Sequence, residues 1–161
     1  MANAPALHTR SVPAFVPALN GLIRRLLRLG VPMGPNALLT VRGRVTGAPH
    51  TFPVAVLRLG DRTFVQGTFG ATNWVLNLRA AGEAVLTRGS RDEPVDAIEL
   101  DPDDAAVVLR DALAPFVSRP YTRPLVGRFF ELPADATLDH YLEVARRHPT
   151  FELRRRPGVA S

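Results

Sequence analysis

The chain has 161 residues, 46% hydrophobic and 22% charged, which is long enough to enclose one core and too apolar for a disordered chain. Its net charge of +5 comes from 20 basic residues, all Arg, against 15 acidic ones, and Lys and Cys are absent. Those absences exclude disulfides, thiolate metal sites, iron–sulfur clusters, cysteine nucleophiles, Schiff-base chemistry and a P-loop lysine within this chain.

The charge is unevenly placed. Residues 1–60 contain no acidic residue and seven arginines (Arg10, Arg24, Arg25, Arg28, Arg42, Arg44 and Arg58), whereas residues 83–111 hold nine acidic ones. One side of the molecule is expected to be positive and its partner anionic. Residues 1–12, small and Pro-containing, read as a flexible lead ahead of a single domain at 13–161. Over 13–29, Phe15, Leu19, Leu22, Ile23, Leu26 and Leu27 fall on one helical face, and Arg24, Arg25 and Arg28 on the other. Such a helix caps one end of a barrel or lies on an anionic membrane surface. No apolar run approaches the ~20 residues of a membrane-spanning helix, and the start lacks the charge-then-apolar order of a secretory signal. The expected location is cytoplasmic, with peripheral membrane contact through the basic helix as the alternative.

Gly30, Pro32, Gly34 and Pro35 end that helix, and strands are expected at 37–42 and 50–59 around a glycine-bounded turn carrying Arg42 and Arg44. Gly43 and Gly47 are expected to take positive φ there. A turn of free amides beside guanidinium groups suits a phosphate; the same residues also fit a plain hairpin with two solvated arginines. Gly60 and Asp61 turn the chain into a third strand at 62–68, and a short loop leads into a helix over Asn73–Ala81, capped by Thr72 or Asn73 and stopped by Gly82. Strands follow at 83–88 and 94–100 around a turn at 89–92. Asp101 caps the next helix, with Pro102 first and Asp103 and Asp104 in the opening turn, and the helix is expected to run to Leu113. Residues 115–133, with four prolines and Phe116, Tyr121, Phe129 and Phe130, read as irregular or broken-helical and as the wall or lid of a pocket. A helix over Leu138–Arg147, a strand at 150–153 and a basic tail, Arg154-Arg155-Arg156, follow. Five or six short strands with helical insertions predict a mainly β, α+β chain: a small antiparallel barrel with added helices.

Trp74, Asn77 and Leu78, at i, i+3 and i+4, share a helix face beside the 68–71 loop. That face can flank a planar ring and hydrogen-bond to its edge, or it is a core tryptophan with a polar neighbour. His8, His50, His140 and His148 have no metal-ligand spacing, so no metal site is expected. No serine stands in a nucleophile elbow, and no Rossmann or P-loop glycine motif occurs. The pI of 11.1 admits nucleic acid, but no interleaved aromatic and basic strand or reading helix is present, so no nucleic-acid partner is expected. The chain lacks the chemistry of a self-sufficient catalyst, and a cofactor must carry any hard step.

Residues 38–54, Leu-Leu-Thr-Val-Arg-Gly-Arg-Val-Thr-Gly-Ala-Pro-His-Thr-Phe-Pro-Val, followed by Thr68-Phe69-Gly70 and then Trp74-Val75-Leu76-Asn77-Leu78-Arg79-Ala80, resemble the deazaflavin-dependent nitroreductase family of split β-barrel flavin and deazaflavin oxidoreductases. The likeness covers residues 13–100 and continues in outline beyond. It implies a split β-barrel, an antiparallel six-stranded Greek-key barrel with peripheral helices related to pyridoxamine-phosphate oxidases, with the deazaflavin coenzyme F420 in a groove. In that family a Gly-Arg-Lys-(Ser/Thr)-Gly-x-Pro-Arg turn holds the cofactor's phosphate and acidic tail. Arg44, Thr46 and Gly47 keep the pattern; Val45 stands at the usual Lys, and His50 at the usual Arg. Arg42, two residues before Arg44, is expected on the same strand face as a substitute cation. By the same likeness Pro53, Val54, Thr68, Phe69 and Gly70 line the deazaflavin ring, Trp74, Asn77 and Leu78 form the far wall, and Tyr121 or His50 donates a proton to the substrate. The implied activity is hydride transfer from reduced F420 to an electron-poor small-molecule acceptor (a quinone, an enone or a nitroaromatic compound) by a monomer or homodimer. FMN or haem in the same barrel, and a non-enzymatic fatty-acid carrier, are the alternatives.

Overall fold

The computed structural model describes Gly21, Arg25 and residues 36–157. The lead expected at 1–12 lies outside the described residues. So does the basic helix at 13–29, apart from Gly21 and Arg25, which are helical and exposed. Six strands are present among the described residues: β1 (Asn36–Arg42), β2 (Pro49–Leu59), β3 (Arg62–Gln66), β4 (Glu83–Arg88), β5 (Arg91–Glu99) and β6 (Thr150–Arg155). Four helices accompany them: α1 (Asn73–Ala81), α2 (Pro102–Val117), α3 (Arg123–Phe130) and α4 (Leu138–Arg147).

All neighbouring strands are antiparallel, and they close a split β-barrel in the order β1-β2-β3-β6-β5-β4. The two long connections, β3 to β4 through α1 and β5 to β6 through α2–α4, give the Greek-key arrangement. Alternation with a period of two sends Leu39 and Val41 of β1, Val54 and Val56 of β2, Leu86 of β4 and Phe151 and Leu153 of β6 into one interior cluster. α1 lies at the end of the barrel where β3 stops and β4 starts. It contributes Val75 and Leu78, both fully buried, to the same cluster, and Trp74 packs against Phe151 with ring centroids 6.4 Å apart. This end of the barrel is thus shut by a helix.

Register explains why the barrel is split. β2 pairs with β1 through Pro49 to Ala55 and with β3 only through Val56 to Leu59, because β3, which pairs with β6 along its other edge, ends at Gln66. Over its first seven residues β2 therefore has one strand neighbour among the described residues.

Outside the barrel, α2, α3 and α4 pack round Leu109, Leu113, Tyr141 and Val144, and Leu57 joins this second cluster from the outer face of β2. Asp101 caps α2 by accepting a hydrogen bond from the Asp104 amide at 2.9 Å. At the start of α4 the Thr137 amide donates to His140 Nδ1 at 3.0 Å, so this histidine is a helix cap. Gly82 ends α1 in the left-handed conformation, as expected.

Several boundaries differ from expectation. α2 continues through Pro115 to Val117 instead of ending near Leu113; a proline late in a helix forfeits one backbone bond, and the last turn persists because Leu113 and Val117 are seated in or against the helical cluster. The stretch expected to be irregular or broken-helical is broken-helical: the end of α2, a turn and the eight-residue α3. β3 stops at Gln66 rather than 68, β5 begins at Arg91 rather than 94, and β6 takes in Arg154 and Arg155 of the expected basic tail.

β6 also buries a charge. Glu152 is 5% exposed and accepts from Arg62 Nε at 2.8 Å and from Arg154 Nη2 at 2.9 Å, while the Arg62 guanidinium lies 4.9 Å from the Phe64 ring centroid. The hydrogen bond from Arg62 holds the Glu152 carboxyl below its ordinary pKa, burial opposes this, and Arg154 reinforces it. A depressed folded-state value means that the ionised carboxylate stabilises the fold above the ordinary glutamate pKa of about 4.3, and that this is lost as pH falls through the folded value. Glu152→Gln is expected to cost about 1–2 kcal/mol at pH 7, since both arginines are partly solvated. In thermal melts from pH 7 to pH 3 the variant should show a shallower loss of Tm than the parent chain; parallel curves would remove Glu152 from the acid response.

Candidate functional site

The β1–β2 turn, α1 and the loop after β3 meet at the end of the barrel that α1 shuts. Within the turn the Gly43 amide donates to Ala48 O at 2.7 Å and the Gly47 amide to Gly43 O at 2.9 Å, which closes residues 43–48 into a compact loop. Gly47 takes a positive φ of 74°, as expected. Gly43 does not. It is buried, and a Cβ there would stand 2.9 Å from the His50 ring and 3.1 Å from Ala48 O, so glycine is needed for close approach.

Arg44 is fixed by an amide rather than a carboxylate. Its Nη1 donates to Asn77 Oδ1 at 2.7 Å, its backbone amide reaches the same oxygen at 3.3 Å, and Nη2 reaches Asn73 Oδ1 at 3.4 Å. Asn77 is 5% exposed and sits in the middle of α1, next to Leu78 in the core, so the helix that plugs the barrel also pins the turn. Two side-chain N–H groups of the guanidinium are used and three remain; neutral acceptors leave its charge uncompensated. The amides of Val45 and Thr46 meet no acceptor among the described residues. The Thr46 hydroxyl accepts from the Ala48 amide at 3.3 Å, which leaves its own proton to donate. Two amides, a hydroxyl and an uncompensated guanidinium on one exposed turn form a donor set for a phosphate-sized anion.

Arg42 does not share this face. The turn begins directly after it, so the two-residue alternation stops before Arg44, and Arg42 lies 3.6 Å from Glu83 in an outer network that continues through Arg156 to Asp96. Val45 is 86% exposed and offers the site its backbone alone. His50 covers Gly43, with its ring centroid 6.3 Å from that of Phe52.

The loop after β3 forms the opposite side. The Gly67 amide donates to Pro149 O at 2.8 Å and its carbonyl lies 3.3 Å from His148 Nδ1, which ties the loop to the α4–β6 connection. Gly70, with φ 79°, is buried, and Thr68 and Phe69 are half-buried beside it. Thr72 occupies the N-cap position of α1, but its hydroxyl makes no cap and is buried without a partner. Gln66 Nε2 is also buried without one, so two polar atoms are orphaned on this side of the site.

Val54, expected to line the cofactor ring, and Leu78, expected in the far wall of the groove, are both buried in the barrel interior, because the inward row of β2 and the inner side of α1 end there. Pro53 alternates with Val54 and is half-buried on the part of β2 that pairs with β1 alone among the described residues, and Trp74 is half-buried. Tyr121 is 73% exposed in the α2–α3 turn and makes no hydrogen bond or ring contact among the described residues. Near it, Val117, Arg123, Val126 and Leu132 line a cavity of about 230 Å³, in keeping with the wall expected over 115–133. The sequence reading missed Asn73, Gly43 as a packing glycine, and the His148 and Pro149 clamp; the pattern Gly-Arg just beyond a strand end could have flagged the second.

Comparison with known proteins bears on the family and the fold. The profile of the F420H(2)-dependent quinone reductase family matches residues 9–122. A comparison with curated protein sequences finds no match. Among solved structures, a protein of unknown function from Agrobacterium tumefaciens str. C58 is similar at a TM-score of 0.55 and 16% identity, over 95% of this chain and 59% of that one. A putative 5-nitroimidazole antibiotic resistance protein from Bacteroides thetaiotaomicron VPI-5482 is similar at 0.51 and 9%, over 82% and 79%. A domain-swapped dimer is similar at 0.50 and 16%, over 86% and 98%. The phosphate-type donor set on the β1–β2 turn fits the phosphate of the deazaflavin coenzyme F420. By the match over most of its length, this chain belongs to the F420H(2)-dependent quinone reductase family, oxidoreductases whose cofactor is F420.

Proposed function

We propose that the chain reduces an electron-poor organic acceptor (a quinone first, with enones and nitroaromatic compounds in the same class) at the groove beside the β1–β2 turn. The observation that carries this reading is Arg44, pinned by the buried Asn77 with its charge uncompensated, beside the unpaired amides of Val45 and Thr46. Arg44, Thr46 and these amides hold the cofactor phosphate; Gly47 keeps the turn in shape. Pro53 on the stretch of β2 that pairs with β1 alone, Thr68 to Gly70 and Trp74 border the ring. When bound, reduced F420 supplies the hydride. The protein orients the acceptor, keeps water out and delivers the one proton that balances the hydride in forming a hydroquinol, from Tyr121 or His50. Its place of work is the cytoplasm.

The test is oxidation of reduced F420, followed by absorbance, with menadione, cyclohexenone and a nitrofuran as separate acceptors. Turnover fastest with the quinone supports the reading. Tight binding of F420, seen as quenching of Trp74, without turnover of any of the three would overturn the acceptor class and leave the cofactor site standing.

A further inference from the structure

A second concentration of positive charge lies at the other end of the barrel, where β2 turns into β3 and β4 into β5. The inward row of β2 runs through Val54 and Val56 and then reaches Arg58; that of β4 runs through Ala84 and Leu86 to Arg88; that of β6 runs through Phe151 and Leu153 to Arg155. With side chains alternating faces, each arginine continues a core row and looks into the barrel mouth. The three line a cavity of about 170 Å³ whose floor is Leu86, Val95 and Leu153.

Arg58 and Arg155 are exposed at this mouth and Arg88 is half-buried, so three strands bring guanidinium groups together at one end of the barrel, just beyond its apolar interior. Two carboxylates share the mouth, Asp61 and Glu93, and Glu93 is engaged by Arg155 Nη2 at 3.2 Å. Arg58 and Arg88 have no ion-pair partner among the described residues. Arg88 Nε is shielded from water and has no hydrogen-bond partner. Burial, then the nearby Arg58 and Arg155, push the Arg88 pKa down against the pull of Glu93, as expected of a cation waiting for a counter-ion. Planar guanidinium forks match the oxygens of a tetrahedral oxyanion, and the cavity has room for one. α1 shuts the opposite end, so this mouth is separate from the β1–β2 turn.

We propose that the barrel mouth formed by Arg58, Arg88 and Arg155 is a second ligand site, which takes a small oxyanion of the phosphate class, free or as a phosphomonoester. A bare charge cluster that only keeps the barrel end wet would show no saturable preference for such an anion.

The experiment is a titration of the full chain with sodium phosphate, and separately with glycerol phosphate, each against sodium chloride of equal ionic strength, read by thermal shift and calorimetry. The expected result is a saturable rise in Tm with phosphate beyond that with chloride. Arg88→Gln and Arg58→Gln should each raise the phosphate dissociation constant at least tenfold; Arg58 is exposed, so its variant keeps the test alive if Arg88→Gln fails to fold. Arg91→Gln, exposed on the same hairpin and outside the cavity, should leave it unchanged. Tighter binding of glycerol phosphate than of phosphate identifies the phosphomonoester, and the reverse identifies the free ion. A rise equal to that in chloride, or parental affinity in both mouth variants, would overturn the proposal. Loss of the phosphate effect in Arg44→Ala alone would also overturn it, by moving the ion to the β1–β2 turn.

Discussion

Replacing Arg44 by Ala is expected to raise the dissociation constant of F420 at least tenfold. A hydrogen bond from a charged donor contributes about 1.5–3 kcal/mol, which is roughly 10- to 150-fold in affinity, and the turn has no other uncompensated cation: Val45 carries no charge and Arg42 is engaged by Glu83. The readout is quenching of Trp74, the single tryptophan, which is half-buried on α1, the helix that also carries Asn77. Asn77→Leu should reproduce part of this loss without touching the cofactor, because the guanidinium then swings free and the turn loses its tie to α1. The double variant should be little worse than Arg44→Ala alone, since the two side chains act as one unit. Additive losses would mean that Asn77 contacts the cofactor directly. Unchanged affinity in Arg44→Ala would remove the phosphate role from the turn.

The second large effect is expected at Gly67. A Cβ there would stand 2.8 Å from Gly70 O and 2.9 Å from Val75 Cγ2, and neither can withdraw freely: the first is backbone of a loop tied at Pro149, the second is seated in the barrel core. Gly67→Ala should therefore cost at the upper end of the about 1–3 kcal/mol typical of overpacking. For a chain of this length that is about 6–12 °C in Tm. If the loop borders the ring as proposed above, affinity for F420 should fall in the same variant even at temperatures where it stays folded. A melt within a degree of the parent would show that the loop relaxes at no cost.

Much of the architecture is written in local signals. The Asp101-Pro102 start of α2, the Gly82 stop of α1 and the alternation of β4 each depend on residues within one turn or one pleat, and each appears as expected. The misplacements have a common cause, in that they depend on where a strand ends or on which side of an element meets the core. Alternation carries side-chain direction only while the chain remains extended, so Arg44, one residue past Gly43, lost the relation to Arg42 that spacing implied. Val54 and Pro53 look alike to a reader of the sequence, and only barrel closure decides that Val54 is inside. The α2–α4 layer keeps α2 helical through Pro115 by burying residues on both sides of it. Arg58 and Arg88, two residues past Val56 and Leu86, follow from counting once the strands are placed, whereas Arg155, expected in a basic tail, joins them only because β6 runs on to it.

The partner change in the middle of β2 has a cost beyond opening a groove. A stretch of strand with one neighbour presents backbone groups to which a strand of another molecule could add, the usual route to edge-to-edge aggregation. Here the stretch from Pro49 to Ala55 carries two prolines, Pro49 and Pro53, each without an amide proton. An incoming strand would meet a gap in the donor row before it had paired four residues. A flat ligand needs no continuous ladder, so the prolines turn away chains while leaving the groove open to a cofactor.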